Sequence, residues 1–210
     1  MSKLLLALAF AGGVAAAAAG SLLLWPRQPQ ERSAAELMDV LMWSREPIGG
    51  PFALVDHTGR PRTDADFRGK LLLIYFGFTF CSDVCPTDLQ AMAAAIDKLG
   101  PAGEAVQPLF ITVDPEKDTP EQLQGYVGLF HPRLIGLTGD ASQVKRVALA
   151  YKVYYAKTEP SKQADYGIDH TGFVFLADAG GNYVGFFPPG TSADRMVEAI
   201  RPLLAAMPTH

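Results

Sequence analysis

The sequence predicts an α/β protein: a mixed β-sheet with helices on both faces. Three observations carry this. Leu71 to Phe78 is an unbroken apolar and aromatic run, the pattern of a strand buried on both faces. Val106 to Val113 reads as a second buried strand after an Ala-rich helical segment, which makes a βαβ unit with parallel strands. Phe173 to Leu176 and Tyr183 to Phe187 are then joined through Ala179-Gly180-Gly181-Asn182, a hairpin signature, so an antiparallel pair completes the sheet.

In chain order, Phe52 to Val55 reads as a short strand that turns at Asp56-His57-Thr58-Gly59. His57 there is expected to be exposed and inert. The central strand leads into Cys81-Ser82-Asp83-Val84-Cys85-Pro86, where Pro86 suits the first position of a helix that runs to Leu99. Gly100 to Gly103 is a turn, and Val106 to Val113 ends at Asp114-Pro115-Glu116-Lys117-Asp118-Thr119-Pro120. Thr119-Pro120-Glu121-Gln122 supplies an N-cap, a proline at the first helical position and an acid in the first turn. That helix runs to about Phe130, where His131-Pro132 stops it; His131 is expected as a plain loop residue. Leu134 to Leu137 is a short strand, and Asp140 or Ser142 caps a helix to about Ala150. Lys152 to Lys157 alternates like a half-exposed strand, and Glu159 to Asp165 is a polar loop. Ser192 or Ala193 opens a closing helix carrying Met196, Val197, Ile200, Leu203 and Leu204, which Pro202 should kink or end. This order is that of a thioredoxin-like fold with an N-terminal hairpin extension.

The start of the chain has a different character. Lys3 is followed by an uncharged, mostly apolar run from Leu4 to Trp25, about 20 residues and long enough to cross a bilayer as a helix. Small residues from Ala15 to Ser21 also suit a signal peptidase, but Leu22-Leu23-Leu24-Trp25 continues the run past any such site. Residues 1–26 are therefore expected as a transmembrane anchor or signal segment, and 27–46 as a linker. Within the linker Ala34, Leu37, Met38, Leu41 and Met42 recur at helical spacing, as a short amphipathic helix whose methionines fill apolar gaps. Residues 47–207 form the folded domain. No Arg-rich, Ser-rich transit peptide is visible, so the expected location is a bacterial cytoplasmic membrane, single-pass, with the domain facing the periplasm.

Charge and cysteine count narrow the chemistry. With 18 basic and 22 acidic residues the net charge is −4, and Lys145-Arg146 is the one adjacent basic pair. No nucleic-acid surface is expected. Two cysteines are too few for a disulfide scaffold, and three residues separate them, so they form a site or one local bridge.

A cysteine where a strand meets a helix N-terminus has its thiolate favoured by unpaired N–H groups and the positive end of the helix dipole. Such a sulfur is either a nucleophile toward disulfides or a soft metal ligand. Three intervening residues leave room for a metal between Cys81 and Cys85 while still permitting a disulfide. The chain has four histidines, and in this fold the loop before the Phe173 strand lies beside the cysteine turn, so His170 is the candidate third ligand. Reductases of this fold place a proline there; between Ser161 and Phe187 there is none, and Asp169-His170-Thr171 occupies the position. Two thiolates and an imidazole suit Cu(I) in a trigonal site, and hold Cu(II) when another donor or water joins. Zinc accepts the same donors, but a structural zinc site wants four protein ligands and no fourth cysteine or histidine is evident. A catalytic zinc with an open position remains compatible with the donors alone.

Phe76-Gly77-Phe78-Thr79-Phe80-Cys81-Ser82-Asp83-Val84-Cys85-Pro86-Thr87-Asp88-Leu89 resembles the signature of the Sco/SenC copper proteins, which assist assembly of cytochrome c oxidase. Ile48-Gly49-Gly50-Pro51-Phe52, Asp114-Pro115-Glu116-Lys117-Asp118-Thr119 and Asp169-His170-Thr171-Gly172 match further blocks of that family in order, over roughly residues 45 to 205. Ser82 departs from the family's usual proline but removes no donor. The resemblance puts the copper ligands on Cys81, Cys85 and His170. It implies a copper metallochaperone whose partner is the copper-bearing subunit of cytochrome c oxidase, or a copper relay protein feeding it, tethered to the membrane by its N-terminal helix. His170, read as part of a long loop, is the ligand expected to detach during transfer. Asp114 and the acidic turn after it either orient the site, meet the partner, or serve only as a turn and cap. The rival is a thiol–disulfide reductase that keeps the client's cysteines reduced, with Cys81 and Cys85 as the redox pair and His170 dispensable. A peroxide-reducing enzyme, suggested by Thr79 and Cys81, leaves Cys85 and His170 unexplained.

Overall fold

A computed structural model describes residues 47–81, 84–160 and 166–207. The expected anchor and the amphipathic helix of the linker lie outside these residues. Among the described residues no helix is long and apolar enough to cross a membrane.

Seven strands form one mixed sheet: β1 Ala53–Asp56, β2 Pro61–Thr63, β3 Leu71–Gly77, β4 Val106–Thr112, β5 Ile135–Thr138, β8 Val174–Ala177 and β9 Tyr183–Phe187, in the order β2-β1-β5-β4-β3-β8-β9. The middle is parallel, β3 with β4 and β4 with β5, while β8 runs antiparallel to β3 and β1 runs antiparallel to both β2 and β5. Four helices flank it: α1 Val84–Lys98, α2 Pro120–Val127, α3 Ala141–Ala150 and α4 Ala193–Ala205. This is the expected thioredoxin-like mixed sheet with its hairpin extension.

Alternation along β3 divides the core. Leu72, Ile74 and Phe76 point to one face, with Leu109, Ile111 and Phe175 from neighbouring strands and Val147 of α3. Leu71, Leu73 and Tyr75 point to the other, against Cys85, Leu89, Met92 and Ile96 of α1, Leu123 of α2 and Met196 and Ile200 of α4. Every β3 and β4 residue is buried, including the polar Gln107 and Thr112 of β4, as for central strands covered on both faces. Each large apolar side chain so enclosed stabilises the fold by about 1.5–3 kcal/mol relative to exposure.

Several boundaries differ from expectation for local reasons. Helix α1 begins at Val84, two residues before Pro86, so Cys85 belongs to its first turn. Thr119 does cap α2, its hydroxyl accepting from Gln122 N, and Asp140 caps α3 in a reciprocal box with Gln143. Pro202 lies inside α4 without ending it; the residue is exposed, so the carbonyl left without its usual donor can be met by water. Two short strands, β6 Tyr155–Lys157 and β7 Ile168–His170, pair antiparallel as a separate two-stranded arm. The second is a strand where the sequence predicts loop, because three residues of mixed polarity carry no periodicity. His57 is not inert: its Nδ1 accepts from Gly136 N at 3.2 Å and ties the hairpin to β5. His131 is buried, with Nδ1 accepting from Arg133 N.

Asp56 anchors the hairpin extension from inside the fold. Its carboxylate accepts from Thr58 N at 2.8 Å, Thr58 Oγ1 at 2.6 Å, Arg60 N at 3.1 Å and Arg62 Nε at 2.8 Å. Burial alone would raise its pKa, but the bonds from Thr58, Arg62 and Arg60 outweigh it and hold the carboxyl well below its ordinary 3.8. A depressed folded-state pKa confers stability that is present above the unfolded value and lost as pH falls toward the folded one. Asp56→Ala is therefore expected to cost about 3 kcal/mol at neutral pH. In urea melts the gap between wild type and Asp56→Asn should hold above pH 3.8 and shrink on acidification.

Candidate metal centre

Strand β3 delivers its last residue, Gly77, to the edge of the sheet where α1 begins. Cys81 N donates to Phe78 O at 3.2 Å, which turns the chain back, and α1 carries Cys85 under the end of β3. The lack of a side chain at Gly77 makes room there: a Cβ on it would lie 3.0 Å from the Phe110 ring and 3.1 Å from Cys85 Sγ. Cys85 has no exposed surface and Cys81 is half-buried; neither is in a disulfide.

His170 arrives from the other direction as the final residue of β7, opposite Tyr155. Beyond it, Thr171 N donates to Tyr154 O at 2.9 Å and Tyr154 N to Thr171 Oγ1 at 3.1 Å. The imidazole stands edge-on to Tyr75 and Phe78, with ring centroids 6.1 and 5.9 Å away. Its Nε2 lies 3.2 Å from Cys85 Sγ and its Nδ1 3.2 Å from the Thr171 carbonyl oxygen. A carbonyl can only accept, so the hydrogen-bond partner assigns the proton of the neutral ring to Nδ1 and leaves the Nε2 lone pair facing the sulfurs. Donor atoms of Cys81, Cys85 and His170 all lie within 4.8 Å of one another. The structure thus brings together the three residues singled out in the sequence. It places His170 on a paired strand, however, and not in the free loop expected.

The electrostatics also differ from the simple helix-terminus expectation. The Cys81 sulfur beside it, together with burial, pushes the Cys85 thiol far up from its usual range, despite the Phe78 N–H, which favours the thiolate. Position in the first turn of α1 does not overcome two sulfurs in one dry pocket. The Cys85 sulfur is poorly charged alone and gains most from a cation beside it. Asp88, one turn further along α1, is buried; its Oδ1 accepts from Gly190 N at 2.8 Å, and burial raises its carboxyl pKa.

The acidic turn after β4, together with partners that the sequence did not single out, fixes the loops around the donors. Asp118 is fully buried and accepts from Thr79 N at 3.1 Å, Thr79 Oγ1 at 2.6 Å and Thr112 Oγ1 at 2.6 Å. Asp114, also buried, has both carboxylate oxygens 3.0 Å from Tyr166 OH. The clustered acids at the end of β4 were a visible signal for these roles, but nothing in the sequence points to Tyr166.

The SCO1/SenC family profile matches residues 42–205. The mitochondrial SCO2 homolog of Bos taurus is 43% identical over 159 residues, covering 75% of this chain and 60% of that protein. The mitochondrial SCO1 homolog 1 of Arabidopsis thaliana is 44% identical over 154 residues, covering 73% of this chain and 46% of that one. The chain therefore spans about half to three fifths of the length of these curated relatives. A crystal structure of Arabidopsis thaliana ScoI with copper bound is 43% identical, covers 75% of this chain and 98% of its own, and superposes with a TM-score of 0.72. These mitochondrial relatives overturn the bacterial periplasmic location expected from the missing transit peptide, a reading that rested on residues outside the described structure. The matched span runs from ahead of β1 to the end of α4 and contains both sulfurs and the imidazole, and the chain belongs to the SCO1/SenC family.

Proposed function

We propose that this protein binds copper through Cys81, Cys85 and His170 and hands it on during assembly of the dinuclear copper centre of cytochrome c oxidase. One observation carries the reading: three donor atoms within 4.8 Å of one another, with the Nε2 lone pair turned toward the sulfurs by the Nδ1–Thr171 contact. Two soft sulfurs and one neutral imidazole match Cu(I) in a three-coordinate site, and an added water or side chain suits Cu(II). The copper-bound Arabidopsis thaliana relative supports the same cargo here. Residues 47–207 form the copper-binding domain in this reading, and its client is the copper-bearing oxidase subunit or a relay protein feeding it.

Chemically, the buried Cys85 holds its proton until a cation replaces it, so loading releases protons. Half-exposed Cys81 is the sulfur an acceptor reaches first, which permits stepwise ligand exchange. The same arrangement favours a second reading, thiol–disulfide exchange, with Cys81 as the attacking and Cys85 as the resolving sulfur.

Replacing His170 separates the two. Titration of reduced protein with Cu(I) against a chelator should give one ion per chain, and His170→Ala should weaken it by about 10- to 100-fold. The reductase reading instead predicts that His170→Ala leaves client reduction at the wild-type rate. Protein oxidised to the Cys81–Cys85 disulfide should form no stoichiometric copper complex, and reduction should restore binding. Gly77→Ala, whose methyl would press on Cys85 Sγ at 3.1 Å, should lower copper affinity about tenfold while leaving far-ultraviolet circular dichroism unchanged.

A further inference from the structure

The turn between β4 and α2 touches both halves of the centre. Asp118 reaches the cysteine loop, its carboxylate accepting from the amide and hydroxyl of Thr79, two residues before Cys81. Asp114 reaches the histidine arm, accepting from the hydroxyl of Tyr166, four residues before His170. The two aspartates are joined rigidly. Asp118 N donates to Asp114 O at 2.9 Å, and Thr112 Oγ1 donates to Asp118 while accepting from Asp114 N. Between them, Lys117 Nζ lies 3.8 Å from the ring centroid of Tyr166 and 5.6 Å from that of Phe80, one aromatic on each half. Glu116 adds an ion pair with Lys157 of the histidine arm at 2.7 Å, and Lys157 Nζ is also 4.4 Å from the Tyr166 centroid.

Turn-making and helix-capping do not account for this. Capping of α2 is done by Thr119, leaving the carboxylates of Asp114 and Asp118 free for other work. Both are almost fully buried, and a buried carboxylate is kept only where its bonds are made. Here those bonds end on the two segments that carry the metal donors. The arm itself is weakly held, since β6 and β7 pair over only three residues.

The geometry points to the Asp114–Asp118 turn as a brace that sets the spacing between the sulfur pair and the imidazole, with Thr79 and Tyr166 as the positioning residues at its two ends. This rests on the copper-binding reading for its purpose but not for its test. Loosening the Tyr166 end frees His170 alone, whereas loosening the Thr79 end disturbs the sulfurs. The brace thereby determines which donor lets go first.

The test uses the full chain and two conservative variants, Tyr166→Phe and Thr79→Val, each also combined with His170→Ala. In the reduced, metal-free chain Tyr166→Phe should speed hydrogen exchange at the Thr171 amide about tenfold with the thermal midpoint nearly unchanged. In chelator competition with Cu(I), Tyr166→Phe should lower affinity about tenfold on its own and not at all in the His170→Ala background. Thr79→Val should lower affinity to the same degree in both backgrounds. Unchanged exchange at Thr171, or equal losses from Tyr166→Phe with and without His170, would overturn the brace. A wild-type chain that binds no copper would instead sink the proposed function, while exchange in the metal-free protein would still decide the brace.

Discussion

Strand β8 runs antiparallel to β3 with Tyr75 opposite Val174, so the carboxyl end of one strand meets the amino end of the other. That pairing is why residues separated by 85 positions share one pocket. The chain leaves β3 through the cysteine loop and enters β8 through Thr171 to Phe173, and both segments emerge at the same sheet edge. A slip of one residue between these strands would exchange the faces of β8, moving Phe175 from the α3 side to the α1 side. Burial of every β3 residue makes such a slip costly. The core thus brings the donor-bearing segments to one edge, and the contacts of those segments set the final spacing.

Dryness and donor chemistry reinforce each other. Cys85 belongs to the apolar cluster beneath α1 as much as to the site, packed with Tyr75, Leu89 and Phe110. A sulfur in that setting is poor at carrying charge and well suited to a soft cation. Around it the polar groups are arranged in short, closed sets: Asp118 with two threonines, Asp114 with a tyrosine, His170 with a backbone carbonyl. Each set holds a backbone segment in place without placing a full charge against the sulfurs.

Much of this was legible in the sequence. The apolar runs of β3 and β4, the Gly-Gly hairpin and the caps Thr119 and Asp140 are local patterns with local causes, and each forms where its pattern lies. Both cysteines and His170 could be assembled because the fold class fixes which sheet edge they share. The strand at Tyr155–Lys157 lies within the alternating stretch, but its pairing with β7 could not be read, because it is non-local and β7 contributes only three residues. Tyr166 was invisible for the same reason: a tyrosine in a polar stretch has no signal until its distant carboxylate partner is known. The raised pKa of Cys85 reverses the helix-terminus expectation because the neighbouring sulfur and burial, both tertiary effects, outweigh the helix dipole.

The separation of the donors along the chain has a mechanical corollary. A bond between Cys81 and Cys85 closes a ring of a few residues and restrains little of the unfolded polypeptide. An ion shared with His170 closes one that takes in α1, β4, α2, β5, α3 and the β6–β7 arm, more than half the domain. The two ways of occupying the same sulfurs therefore differ in grip: one is a local clasp, the other a girdle around the protein. An ion held by all three residues would therefore stabilise the fold more than a bond between the two sulfurs alone.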